Sequence, residues 1–326
     1  MKRVIVTGGT GFVGANLTRR LLAEGHEVHL IVRKGRAMWR LSGIEDRVIL
    51  HETGLDDPAG LTTAVSGIRP DWIFHLAAYG AYSWQDDAPR IMATNAAGTV
   101  NLVEACLKSG FESFVNTGSS SEYGFKDKAP SETEWLDPNS CYAVSKAAAT
   151  HYCRYISRSR DVNLTTLRLY SVYGPYEAPG RLLPALVLRG LAGELPPLVD
   201  PEVARDYVFV DDVCDAYLLA AGGRAPGRGA VYNVGTGRQV RLREAVDIAR
   251  KTLGVSAEPA WGAMPNRSWD TSVWVADSGL IRRELGWRPR FDFESGFRRT
   301  AEWFSARPEL AEFYRKEERA LSGKKP

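Results

Sequence analysis

The chain is poor in what would tie it to a membrane, a metal or an oxidising compartment. Its four cysteines, Cys106, Cys141, Cys153 and Cys214, form no CxxC pair. Their neighbours read as helices, so free thiols are expected rather than disulfides or a zinc site. The five histidines lack metal-ligand spacing, and no bound metal is expected. His75, within DWIFHLAA, reads as a hydrogen-bonded core residue. No apolar run approaches the roughly 20 residues of a membrane-spanning helix. MKRVIVTGG enters a strand-like run at once, without the apolar region and cleavage site of a signal peptide, so a cytoplasmic location and no membrane partner are expected. Net charge is scarce too, +3 over 326 residues. With no basic stripe interleaved with aromatics, nucleic acid is not an expected partner, and a bound anion should be small.

What is present is alternation. RVIVTG, EVHLIV, RVILHE, WIFHLAA, SFVNTGS and NLTTLRLYSVYG are short β-branched runs. Between them lie helical stretches such as ANLTRRLLAEG, 90–109 and 142–160. Repeated βα units predict an α/β fold, a Rossmann-type doubly wound parallel sheet covered on both faces. From about Pro175 the pattern breaks into Pro/Gly-rich loops around a further strand–helix unit, RDYVFVDDVCDAYLLAA. This predicts a dinucleotide-binding domain over 1–175 and a smaller α/β substrate-binding lobe over 176–326, interwoven with the first.

TGGTGFVG, residues 7–14, follows a strand and opens a helix. There Gly8 permits a tight turn, Gly11 lets the backbone approach a pyrophosphate, and Gly14 lets helix and strand pack closely, while Phe12 and Val13 begin a helix whose N-terminus faces the phosphates. EVHLIV ends in Arg33, followed by Lys34 and Arg36. That is where an NAD site usually places a carboxylate for the ribose 2′-hydroxyl and an NADP site an arginine for the 2′-phosphate. NADP(H) is therefore the favoured cofactor and NAD(H) the alternative, which would leave the cations as a solvated turn. Tyr142 and Lys146 stand at i and i+4, one face of a helix. A cation beside a phenol lowers its pKa, so Tyr142 is expected to act as acid and base near neutral pH, unless the pair is a chance surface pattern.

With the serine run TGSSSEYG upstream, these motifs resemble the extended short-chain dehydrogenase/reductase family of nucleotide-sugar enzymes, the NAD-dependent epimerases and dehydratases. HLAA, NAAGTVNL, LYSVYGP, RDYVFVDDV, YNVGTG and LGWRP extend the resemblance over nearly the whole chain. It implies a catalytic serine five residues before Gly124, which is Ser119, with Ser120 as second choice. It implies cofactor contacts from Leu55, Leu76, Ala77 and Ala78, and Asn95 supporting the active-site backbone. Ser120, Ser121, Ser171, Arg205 and Arg267 fall where relatives meet a nucleotide-diphosphate sugar, the arginines at its diphosphate. Ion pairs with Asp206 and Asp270 are the alternative for those arginines. A homodimer through the helices at about 90–109 and 141–159 is implied as well.

Departures narrow the chemistry. Family dehydratases carry acidic residues just after the catalytic hydroxyl, where this chain has Ser120 and Ser121, with Glu122 one step further. Ser171 replaces the usual substrate-contacting asparagine, and Gly54 an aspartate that often meets adenine. The YGAYSW loop and the NRSWD stretch resemble those of CDP-paratose and CDP-abequose synthases. The expected reaction is reduction of the 4-keto group of an NDP-4-keto-6-deoxyhexose, with Tyr142 as proton donor. A nucleotide-sugar 4-epimerase is the alternative. A catalytically inactive dinucleotide-binding regulator would be betrayed by loss of the tyrosine or lysine, and both are present.

Overall fold

Seven strands hydrogen-bond side by side in a computed structural model that describes residues 1–82, 84–223, 228–266 and 270–322. The strands are β1 (Arg3–Thr7), β2 (Glu27–Val32), β3 (Ile49–Glu52), β4 (Trp72–His75), β5 (Ser113–Ser119), β6 (Leu164–Leu169) and, far along the chain, β10 (Val231–Val234). The intervening β7 (Ser171–Tyr173), β8 (Ala204–Arg205) and β9 (Tyr207–Phe209), with β11 (Val240–Arg241), form two small ribbons, β7 with β9 and β8 with β11. The large sheet runs β3-β2-β1-β4-β5-β6-β10, and every pairing in it is parallel. Strand order reverses between β1 and β4. In an open parallel sheet that reversal creates the crevice, beyond the strands' carboxyl ends, where ligands bind.

Helices cover both faces. In chain order they are α1 (Phe12–Ala23), α2 (Pro58–Ile68), α3 (Ala88–Met92), α4 (Gly98–Ser109), α5 (Cys141–Ser159), α6 (Leu182–Gly190), α7 (Val210–Gly222), α8 (Leu242–Leu253), α9 (Gly279–Glu284), α10 (Phe293–Ser305) and α11 (Pro308–Ser322). The sheet's two sides bury separate clusters. Val4, Val6, Leu17 and Leu30 pack with Tyr217 and Tyr232 on one, and Ile5, Leu61, Ile73, Leu102 and Phe114 on the other. A strand buried on both faces cannot alternate apolar with polar residues, and VIV in β1 and VHLIV in β2 do not.

The carboxyl-terminal half is not a separate bead. Val208, Val213, Tyr217 and Tyr232 lie in the same core cluster as β1 and β2, and β10 extends the sheet beyond β6. A further core, built on Leu186, Phe209, Val246, Phe297, Phe304 and Tyr314, holds α6, α8, α10 and α11 together. Tyr173 of β7 and Phe209 of β9 belong to it, and Tyr314 Oη ties it to the loop after β7 by donating to the Glu177 carbonyl at 2.5 Å.

Candidate active site

The glycine loop has the shape its sequence requires. Gly8 sits at φ +72°, and a Cβ there would lie 2.6 Å from the Ala77 amide nitrogen, so the loop presses directly on the backbone that follows β4. A Cβ at Gly14 would stand 2.2 Å from the Gly8 carbonyl oxygen. Only glycine allows this approach of helix and turn. Gly11 caps α1 without any side-chain bond to the first-turn amides. A Cβ on it would meet only the Gly8 carbonyl, at 3.1 Å. The first-turn amides, with Phe12 and Val13 half-buried beside them, thus face a space that a side chain would fill. That fits the pyrophosphate of a dinucleotide.

The strand-4 loop is fixed from several sides. The amides of Leu76 and Ala77 donate to the Thr7 carbonyl (3.1 Å) and hydroxyl (3.2 Å). His75 is buried, its two ring nitrogens 2.7 Å from Thr7 Oγ1 and 2.9 Å from Thr99 Oγ1. Burial holds it down to about 3, so it is neutral at physiological pH. Ala78 is exposed at the lip. Asn95 lies in a π-helical turn, Ala93–Ala97. Its side chain accepts from the Tyr79 amide (2.8 Å) and donates to the Tyr79 carbonyl (2.7 Å) and to Ser145 Oγ (2.9 Å). Asn95 therefore ties the loop after β4 to the helix that carries Tyr142. Leu55 turns its side chain into the core beside Gly98, and its carbonyl accepts from Asn101 at 2.8 Å.

Ser119 ends β5, Tyr142 and Lys146 begin α5, and the structure brings the three together. Ser119 Oγ accepts from the Ser121 amide at 3.1 Å, and the Ser119 side chain is close enough to Tyr142 to act on its phenol. Ser140 caps α5 by accepting from the Ala143 amide at 3.2 Å. Lys146 is buried and donates to the Thr117 carbonyl at 2.8 Å. One expectation is corrected here. Burial pushes the Tyr142 phenol up, to about 12, against the lowering effect of the neighbouring Ser119. The same burial lowers Lys146 to about 8. Desolvation outweighs the neighbouring cation because the ammonium is engaged with a backbone carbonyl rather than with the phenol.

Glu122 is withdrawn from this chemistry. It is wholly buried, accepts from Arg168 Nε (2.8 Å), the Ser119 amide (2.8 Å) and Thr150 Oγ1 (3.0 Å), and so braces the turn on which Ser120 and Ser121 sit. Arg168 also donates to Tyr123 Oη at 2.8 Å. Sequence reading had missed the pair, since 46 positions separate its members.

Of the expected substrate residues, Ser120 is buried, and Ser121 and Ser171 are half-buried. Arg205 lies over the Trp274 ring at 5.6 Å and donates to Asp270 at 2.7 Å, the ion pair named as its alternative. Asp206 does not join it. Its carboxylate instead accepts from the Thr236, Gly237 and Ala276 amides. Arg267 lies outside the described residues. Arg33 is exposed at the end of β2, and Arg36 folds back to its carbonyl and stands 3.4 Å from Glu52. A further cation escaped the sequence reading. Arg181 exerts its charge on Tyr142 and on Tyr207, and lies 5.7 Å over the Tyr82 ring. Its only signal was a lone arginine closing a Pro/Gly-rich loop.

Two further points bear on sites. The described residues hold no cluster of three or more metal-ligating side chains, and no described helix is long and apolar enough to cross a membrane. All four cysteines are free, and Cys141 alone among them is exposed.

Known proteins are similar to this chain over nearly its whole length. UDP-glucose 4-epimerase of Mycolicibacterium smegmatis is 35% identical over 313 residues, covering 93% of this chain and 98% of that protein. Among solved structures, UDP-glucose 4-epimerase of Thermotoga maritima with UDP-glucose superimposes with a TM-score of 0.84 at 28% identity, covering 93% of this chain and 98% of the other. A double mutant of the dTDP-glucose 4,6-dehydratase DesIV of Streptomyces venezuelae, with NAD bound, gives 0.84 at 29% identity over 96% and 99%. Residues 4–235 match the NAD dependent epimerase/dehydratase family. Glycine loop, serine, tyrosine and lysine stand at one crevice of a parallel sheet, and the chain belongs to that family, as an enzyme of the extended short-chain dehydrogenase/reductase type.

Proposed function

We propose that the chain moves hydride from and to C4 of a nucleotide-diphosphate sugar, with 4-epimerisation as the net reaction. The observation that carries this is the grouping of Ser119, Tyr142 and Lys146 at the carboxyl end of β5 with no available acid on the turn that follows Ser119, since Ser120 and Ser121 replace the acidic pair and Glu122 is held by Arg168. Removal and delivery of a hydroxide would need such an acid; oxidation and reduction of a hydroxyl do not. The dinucleotide, held by Gly8, Gly11 and Gly14 with the amides of Phe12 and Val13, supplies the hydride acceptor and donor. Tyr142 takes and returns the hydroxyl proton. Ser119 donates to the oxygen as it gains charge, and Lys146 holds the ribose. Arg205 and Arg267 grip the diphosphate.

Whole-length similarity to a 4-epimerase moves epimerisation ahead of the reduction expected from sequence. Reduction of an NDP-4-keto-6-deoxyhexose by NADPH is the second reading, favoured by the exposed Arg33 at the end of β2. One assay separates them. Conversion of UDP-glucose to UDP-galactose without net cofactor change supports the epimerase, while one-for-one NADPH oxidation by a 4-keto sugar nucleotide moves the conclusion to the reductase. Failure of both, with UDP-glucuronate also left unconverted, would overturn hydride transfer at C4. We also infer a homodimer: Val144, Ala148, His151 and Tyr155 make an exposed stripe along α5, with Tyr155 66% exposed. Sedimentation should show a dimer that Tyr155→Arg dissociates.

A further inference from the structure

Beside Ser120 a narrow cavity opens, lined by Lys126, Lys128, Tyr170 and Trp274. It adjoins both ends of the proposed substrate path. Ser120 follows Ser119, and Trp274 carries Arg205 over its ring at 5.6 Å. Tyr170 is 7% exposed, yet its hydroxyl has no hydrogen-bond partner among the described residues. A buried hydroxyl left unpaired has given up its water without a replacement, so a ligand acceptor or donor at this point is favoured. Lys126 and Lys128 make no hydrogen bond or ion pair with the described residues. The two carboxylates that act on Tyr170, Asp206 and Glu132, are taken up by other groups. Asp206 accepts from Thr236, Gly237 and Ala276, and Glu132 from the Asn233 amide.

We propose that this cavity selects a carboxylate on the sugar, making the substrate class a nucleotide-activated uronic acid. The inference rests on the reading that the sugar's C4 lies at Ser119 and Tyr142 with its diphosphate toward Arg205. Of the two ring carbons next to C4, only C5 carries an exocyclic carbon that reaches into a further cavity. A neutral hydroxymethyl there would use the Tyr170 hydroxyl and leave two ammonium groups without a counter-charge. A C6 carboxylate accepts from all three.

The test measures calorimetric affinities of the NAD-loaded protein for UDP-glucuronate and UDP-glucose, which share base and diphosphate and differ at C6. The wild type should bind UDP-glucuronate about tenfold or more tightly than UDP-glucose, in line with one charge-assisted contact. Lys126→Ala/Lys128→Ala should bring the ratio toward one, and added salt should do the same because the lysines are solvent-accessible. Tyr170→Phe should lower the ratio without lowering the melting temperature, since its hydroxyl holds no other group. A ratio of one or less in the wild type, or lysine variants that weaken both ligands equally, would overturn the carboxylate pocket and leave the C4 chemistry standing. Binding of neither ligand would remove the sugar-nucleotide reading and this inference with it.

Discussion

Arg168 donates from Nε to Glu122 at 2.8 Å in a pair almost wholly withdrawn from water, and Glu122 in turn receives the Ser119 amide. The ion pair is thus a brace for the catalytic serine. Charges buried in this way contribute little net stability while intact, but removing one partner strands the other in a low-dielectric interior. Glu122→Gln should lower stability by about 3–5 kcal/mol in denaturant unfolding, and turnover should drop with it. Arg168→Met/Glu122→Leu, which removes both charges, should recover much of the stability but not the turnover, because Ser119 loses its amide acceptor. Full turnover in the double variant would show that the brace has no part in positioning the serine.

Tyr142→Phe removes a single hydroxyl from a half-buried ring. Fold and dinucleotide affinity should survive, while turnover falls by about 10² or more. Wild-type turnover in the variant would remove Tyr142 from its role. Lys146→Met should impair turnover and dinucleotide affinity together; if affinity is unchanged, the ribose contact is wrong.

Arg33→Asp tests the cofactor. Arg33 is exposed at the end of β2, and the wild type should bind NADPH more tightly than NADH if this guanidinium meets a 2′-phosphate. The substitution should then reverse the order, since a carboxylate repels that phosphate and accepts from a ribose hydroxyl. Equal affinities in the wild type would make the cluster around Arg33 a solvated turn.

How much of this was legible in the sequence depended on whether the cause was local. The glycine loop could be read because Gly14 answers to the backbone of Gly8 and Gly9 a few residues away and Gly8 to its own positive φ, whereas the press of Gly8 on the Ala77 backbone is non-local. Tyr142 and Lys146 share a face because any helix places i and i+4 together. The direction of the Tyr142 shift could not be read that way. It depends on how deeply α5 buries the ring, which is a property of the whole packing. Glu122 looked available in SSSEYG because nothing in that stretch announces Arg168 on the neighbouring strand. The return of β10 to the sheet is equally non-local, as Val231–Val234 pair with a strand some 65 positions earlier (231 against 166).

Glu177 offers a pH-dependent test of the loop that carries Arg181. It is buried in the loop before α6, with Arg181 Nε at 3.8 Å, and its Oε2 has no hydrogen-bond partner among the described residues. Burial raises its carboxyl to about 7 against the opposing charges of Arg181 and Arg40 and a bond from the Gly174 backbone. The unfolded chain returns it to its ordinary value near 4.5. Between those two pH values the folded protein therefore binds more protons than the unfolded one, and stability must fall as pH rises through the interval. Below about 4.5 both states are protonated and the cost vanishes. Above about 7 it is present in full. Glu177→Gln removes the ionisation, so its melting temperature should match the wild type near pH 4.5 and exceed it by several degrees near pH 8, a gap that opens over the interval. Melting curves that run parallel across that range would show that Glu177 keeps an ordinary pKa and finds a partner in solution.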